Sequence, residues 1–241
     1  MNFTRYWIGL CVFFGFLLSA CAPKLDVSTP VPGSTQQSAL RYLALGDSYT
    51  IGEGVKNEDS FPYQLVKALE EEGFSFNQPQ VIARTGWTTD ELIRAIEKDQ
   101  PQGTYDLVTL LIGVNNQFRG YSMEIYRSEF RELLNRSIQY ADNPADCVVV
   151  LSIPDWGVTP FARTMGVERG QVSSQIDRFN DINRQEAEHA GVRYVNVTDI
   201  SRQATDDSLL IAEDGLHPSS IMYQAWVERV LPEAKACLNE K

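Results

Sequence analysis

A chain of 241 residues with 43% hydrophobic side chains can bury one substantial core but is short for two full domains. Its formal charge of −11 argues against a nucleic-acid partner, because neutralising phosphates takes clustered Lys and Arg. Here the bases are scattered among acids, Lys67 close to Glu70 and Arg131 close to Glu129, so an anionic membrane surface gains no polybasic attraction either.

The N-terminus reads as a processing segment. Arg5 precedes an apolar run from Trp7 to Leu18, followed by Ser19-Ala20-Cys21. The run is shorter than the roughly 20 residues of a membrane span, and a basic start, an apolar middle and small residues at the end form a signal-peptide pattern. The small residues before Cys21 resemble the lipobox of bacterial lipoproteins. That resemblance implies a signal peptide over residues 1–20, cleavage before Cys21 and lipidation of its sulfur; a plain secretory signal with an incidental cysteine is the alternative. Multiple acyl chains anchor stably where one is marginal. The expected location is the bacterial cell envelope, at the outer membrane or on a periplasmic or extracellular face, since Ala22 rather than Asp follows the cysteine. Residues 21–39 are rich in Pro, Ser, Thr, Gln and Gly and read as a flexible tether with an average reach of roughly 25 Å. The only membrane contact expected is through the lipid.

Residues 40–241 alternate strand and helix patterns, which predicts a parallel sheet covered by helices. The first strand is Arg41-Tyr-Leu-Ala-Leu, closed by Gly46-Asp47-Ser48. Pro62 stands in the first turn of a helix that Gly73 stops. Gln80–Arg84 forms the second strand; after Gly86, Thr88 and Glu91 make a capping box that opens a helix to about Lys98. Asp106–Ile112 is the third strand. An amphipathic helix from about Ser122 to Tyr140 follows, with Ile125, Phe130, Leu133, Leu134 and Ile138 as its core stripe. Cys147–Ile153 is the fourth strand, Pro154–Gly170 a loop, and a helix then ends near His189. Val192–Val197 is the fifth strand, and a final helix begins near Ser219, with a kink expected at Pro232.

Ligands of open α/β sheets bind just outside the carboxyl ends of the strands, so Ser48 would stand at the rim of a site. Taken alone, Gly46-Asp47-Ser48 is equally an ordinary turn. Ester cleavage by a serine calls for an imidazole to take the hydroxyl proton, and the chain has two histidines. His189 sits at a helix C-terminus, where the dipole favours a cation and a structural role suffices. His217 lies in the polar loop Glu213-Asp214-Gly215-Leu216-His217-Pro218, outside any apolar periodicity. Asp214, three residues earlier, can reach the ring nitrogen that faces away from the serine and fix its tautomer. The order Ser, Asp, His also occurs in α/β-hydrolases, but their Gly-x-Ser-x-Gly elbow is missing because Thr50 replaces the second glycine. No phosphate-binding loop, His-Glu-x-x-His helix or Cys-x-x-Cys pair is present, so neither a metal nor a cofactor is expected.

Four motifs occur in order, Gly46-Asp47-Ser48, Gly86, Gly113-Val-Asn115 and Asp214-x-x-His217. Together they resemble the SGNH hydrolases, the GDSL esterase superfamily, across nearly the whole domain; alone, Gly86 and Asn115 would read as turn residues. The resemblance implies a three-layer α/β/α sandwich with a five-stranded parallel sheet in the flavodoxin-like order 2-1-3-4-5. It implies Ser48 as nucleophile, His217 as general base and Asp214 as its orienting acid. The oxyanion hole would be the backbone N–H groups of Ser48 and Gly86 and the side-chain amide of Asn115. Two departures from the family pattern are Tyr49, where leucine often stands, and Asn116, where aspartate commonly follows the asparagine; both are expected to touch substrate.

The implied activity is hydrolysis of a carboxylic ester through an acyl-serine; the short loops after the first three strands leave little chain for a deep lid, which favours a short or an exposed acyl group, and the expected form is a monomer acting on a small-molecule, glycan or lipid ester. A catalytically silent glycan-binding lipoprotein and an acyltransferase or lysophospholipase on the same site are the alternatives. Trp87, Phe118, Tyr121, Trp156 and Phe161 lie in or near strand-end loops and could shape a pocket. Cys147 and Cys237 are left outside the leader and the lipidated position; export permits a disulfide between them, and two buried thiols are equally compatible.

Overall fold

Five apolar runs form one parallel sheet in the order β2-β1-β3-β4-β5, with β1 at Tyr42–Asp47, β2 at Gln80–Arg84, β3 at Leu107–Leu111, β4 at Val148–Leu151 and β5 at Arg193–Val195. The computed structural model describes residues 39–141 and 147–240. The leader, Cys21 and nearly all of the tether lie outside the described residues. Among those described, no helix is long and apolar enough to cross a membrane.

The central strands β1, β3 and β4 are buried along their whole length, as their mostly apolar sequences require once helices cover both faces; the buried polar exceptions are Thr109 in β3 and Asp47 at the end of β1. Each Leu or Val enclosed there contributes roughly 1.5–3 kcal/mol. β2 is an edge strand with one buried residue, Ile82, and polar residues at both ends. Helices α1 (Ser48–Ile51), α2 (Phe61–Glu71) and α3 (Thr89–Asp99) precede α4 (Val114–Phe118) and α5 (Met123–Tyr140). Helices α6 (Pro160–Met165), α7 (Arg169–His189), α8 (Thr198–Arg202) and α9 (Ser220–Asn239) complete the chain. α2 and α9 pack on each other over one face of the sheet, and α3, α5 and α7 form a row over the other. The result is the three-layer sandwich implied above.

Two expectations need correction. Ile125 is exposed rather than in the core, because the buried stripe of α5 runs through Tyr126, Phe130, Leu133, Leu134 and Ser137, and Ile125 lies one residue, about 100° of helix rotation, off it. The segment Pro154–Gly170 is not a plain loop. Trp156–Val158 makes a 3-10 turn and α6 follows it, started by Thr159, whose hydroxyl accepts the Ala162 N–H, with Pro160 in the first turn. α9 runs on past Pro232.

Cys147, just before β4, and Cys237, in the last turn of α9, are joined by a disulfide with a Cα–Cα distance of 5.1 Å. The bridge sits at the amino ends of the strands, away from the loops that carry the expected site.

Candidate functional site

β1 lies between β2 and β3, with Gly46 paired to Leu111 and Asp47 to Arg84. The chain therefore leaves three neighbouring strands side by side: at Ser48, at the turn holding Gly86, and at the Gly113 turn that starts α4. Asp47 caps α1, its Oδ1 accepting the Tyr49 N–H at 3.0 Å, and this hydrogen bond turns the backbone sharply at Ser48. Ser48 is 5% exposed and His217 7%, and both line one cleft with Gly86 and Asn115.

Asp214 and His217 face each other within a single tight turn. His217 Nδ1 lies 2.6 Å from Asp214 Oδ2, while Oδ1 of the same carboxylate accepts the backbone N–H groups of Leu216 at 2.8 Å and His217 at 2.9 Å. Burial pushes the Asp214 carboxyl up, but the hydrogen bonds from the imidazole and the two amides, with the attraction of His217, outweigh it and hold the group below its ordinary range. The carboxylate is therefore ionised where it faces the ring. The Tyr49 ring meets the His217 ring at a steep angle, with ring centroids 5.5 Å apart.

Asn115 Nδ2 donates to the Trp87 carbonyl at 2.9 Å. A primary amide carries two N–H groups, so this bond orients the amide and leaves the second N–H for another acceptor. Gly86 has φ +85°, a left-handed conformation that glycine adopts without a steric penalty.

Tyr49 lines the cleft, as expected, although only 3% of it is exposed. Asn116 does not reach the cleft, which corrects the expectation that it touches substrate. It is fully buried, its Oδ1 accepting the Thr89 N–H at 3.1 Å and its Nδ2 donating to Thr89 Oγ1 at 2.7 Å, so it ties α4 to the start of α3. Phe118, Trp156 and Phe161 line the cleft; Trp87 and Tyr121 do not. His189 is exposed in the last turn of α7, away from the cleft.

The apolar wall includes residues that sequence reasoning passed over, Val114 and Leu216, together with Thr85 at the rim. Leu216 could have been found as the one large apolar residue inside the acidic His217 loop. Trp156 stacks edge-on against Phe118 at 5.5 Å and lies 6.2 Å from Phe161. Its indole N–H is already given to Gln117 Oε1 at 2.8 Å, so the wall presents ring faces and no free donor from Trp156. Behind it, buried Asp155 accepts from Gly157 N, Ser173 Oγ and Arg202 Nε, which fixes the loop that carries the tryptophan.

A hydroxyl, an imidazole with a carboxylate behind it, and backbone and amide N–H groups around one apolar cleft suit acyl transfer, which needs a nucleophile, a base and donors for a developing oxyanion. Comparison with known proteins agrees with this chemistry. The GDSL-like Lipase/Acylhydrolase family matches residues 44–225. No curated protein matches by sequence. Among solved structures the chain is similar to TesA, with 17% identity, a TM-score of 0.65 and coverage of 82% of this chain and 99% of that one. It is also similar to the psychrotrophic esterase EstA from Pseudoalteromonas sp., with 18% identity, a TM-score of 0.61 and coverage of 83% and 99%. A variant of Axe2, an acetyl xylan esterase from Geobacillus stearothermophilus, matches at 19% identity, with a TM-score of 0.61 and coverage of 81% and 94%. At these identities the structures show the shared fold, and the family match shows the lineage: the chain belongs to the GDSL-like lipase/acylhydrolase family and is an SGNH-type serine hydrolase acting on carboxylic ester bonds.

Proposed function

We propose that this hydrolase cleaves esters of short, apolar acyl groups through an acyl-serine formed on Ser48. His217 takes the Ser48 proton as the oxygen bonds to the acyl carbon, and Asp214 stabilises the imidazolium. The carbonyl oxygen becomes an oxyanion held by the N–H groups of Ser48 and Gly86 and by the Asn115 amide. Collapse expels the alcohol, which takes the proton back from His217. Water then repeats the sequence, and the carboxylic acid leaves with Ser48 regenerated.

The observation that carries the short-acyl reading is the cleft itself. Its cavity volume is about 170 Å³, close to the roughly 150 Å³ that suffices for benzene and below the 300–1,000 Å³ of pockets for drug-sized ligands. Its walls are the side chains of Val114, Phe118, Trp156, Phe161 and Leu216. Tyr49, packed against His217, is part of the same lining.

A fluorophosphonate should label Ser48 and a Ser48→Ala variant should lose both label and turnover. Across p-nitrophenyl esters from acetate to decanoate, kcat/KM should peak at six carbons or fewer. Absence of label on a folded protein would favour a glycan binder; a peak at long chains would sink the short-acyl specificity; an acylated sugar product would make the enzyme a transferase. We further propose that Cys21 carries the lipid that tethers the domain in the envelope. The motif before Cys21 supports it, and failure of a Cys21→Ser variant to lose incorporation of a fatty-acid label would refute it.

A further inference from the structure

The turn between β2 and α3 is fastened at three successive residues by side chains from other elements. Thr85 Oγ1 donates to Glu53 Oε2, just beyond α1. The Gly86 carbonyl accepts Arg119 Nη2 at 2.6 Å, and the Trp87 carbonyl accepts Asn115 Nδ2. Arg119 directly follows α4, and its Nη1 donates to Glu91 Oε2 at 3.3 Å. That same oxygen accepts the Thr88 N–H at 2.9 Å and closes the capping box of α3. One guanidinium thus bridges the Gly86 carbonyl and the cap of the helix that follows it.

Little packs at the position where Gly86 would carry a side chain. A Cβ added to it would have a single neighbour within 4 Å, the Arg119 guanidinium itself at 3.7 Å. With φ in the left-handed region and no side chain, the residue keeps its orientation through hydrogen bonds, and the one on its own carbonyl comes from Arg119. A bond from a charged donor is shorter and stronger than a neutral one, which suits it to fixing a peptide plane.

We infer that Arg119 is a positioning residue of the oxyanion hole: its bond to the Gly86 carbonyl, with the Trp87 N–H held by the Arg84 carbonyl at 3.2 Å, fixes the Gly86–Trp87 peptide, and through the torsions of the glycine this restrains the adjoining Thr85–Gly86 peptide, whose N–H is the oxyanion donor. The inference rests on the role proposed above for that N–H. An oxyanion donor is effective because it is oriented before charge develops, and a displacement on the order of 1 Å in a reacting group can cost 10²-fold in rate. The Arg119–Glu91 pair is itself partly exposed, the two side chains being 42% and 31% accessible. Such pairs contribute little to stability, so the fold should survive removal of the arginine.

The test is Arg119→Met, with Arg119→Gln carrying the same expectation if the first variant fails to fold, and Arg119→Lys as the conservative rescue. With p-nitrophenyl acetate, kcat and kcat/KM should fall together by about 10- to 30-fold while KM stays within 2-fold, the signature of an interaction made in the transition state. The inhibition constant of ethylboronic acid, a tetrahedral mimic, should rise by the same factor, and the lysine variant should recover most of the loss. Activity within 2-fold of the parent, or a loss of activity with an unchanged boronic acid affinity, would overturn the inference. A parent protein that neither labels at Ser48 nor turns over ester would instead overturn the site reading beneath it.

Discussion

His217 Nδ1 lies 2.6 Å from Asp214 Oδ2, and the other oxygen of the same carboxylate is pinned by two backbone amides of its own turn. The acid is oriented by the segment that carries the base, so a three-residue spacing is enough to build the pair. Replacing Asp214 by Asn keeps the shape but puts an amide where an anion faces the ring, favouring the wrong imidazole tautomer. We expect kcat to fall by about 10³- to 10⁴-fold, with the circular dichroism spectrum unchanged; steady-state kinetics on a short ester check it.

Asn115→Ala removes one oxyanion donor and should cost about 10²- to 10³-fold in kcat. Because the same amide holds the Trp87 carbonyl, the loss should exceed that of Arg119→Met. The two variants measured side by side give the order.

Gly54 has φ +84°, and a Cβ there would meet the Ala212 Cβ at 2.9 Å and Asp214 Oδ2 at 3.0 Å. Gly54→Ala therefore strains the backbone and pushes directly on the acid behind His217. Turnover should drop at least about 10-fold, since small displacements of a catalytic group are costly, with a lower Tm that reports the backbone strain. A variant with unchanged kcat would show that the Asp214 loop gives way freely.

Asp47 is fully buried, and its Oδ2 has no hydrogen-bond partner among the described residues. Burial raises its pKa to about 7, against the lowering effect of the Tyr49 N–H and its own backbone amide. Its folded pKa exceeds the value of about 3.9 in the unfolded chain, so the folded state holds the proton more tightly and this group's contribution to stability declines as pH rises from about 4 to about 7, then levels off. Asp214 has the opposite sign: its depressed pKa gives stability above the unfolded value that is lost as pH falls through the folded one. Denaturant midpoints of the parent and Asp47→Asn between pH 4 and 8 should converge at the acid end, separate as pH rises to about 7 and stay apart above it, with the variant the more stable.

The Cys147–Cys237 bridge closes a separation of 90 residues. Breaking it with a double Cys→Ala replacement should cost about 2–4 kcal/mol, seen as a lower denaturant midpoint. Since the bridge lies at the opposite end of the strands from Ser48, kcat of the folded variant should match the parent.

The sequence by itself determined the strand-and-helix alternation, the capping box at Thr88 and the motif order, because each depends on spacing along the chain: apolar runs, caps and the Asp214–His217 turn are local. It also placed Ser48 at a strand end, since Gly46 breaks an apolar run there. What distance along the chain cannot encode came from packing. Asn116 and Asn115 are neighbours with the same side chain, yet one turns inward to Thr89 and the other toward Trp87, a choice made by the direction of α4 against α3. Tyr49 becomes part of the cleft only because His217 folds back beside it. Arg119 and Gly86 are 33 residues apart, and only the placing of β2 next to β1, and of β1 next to β3, brings that guanidinium to that carbonyl.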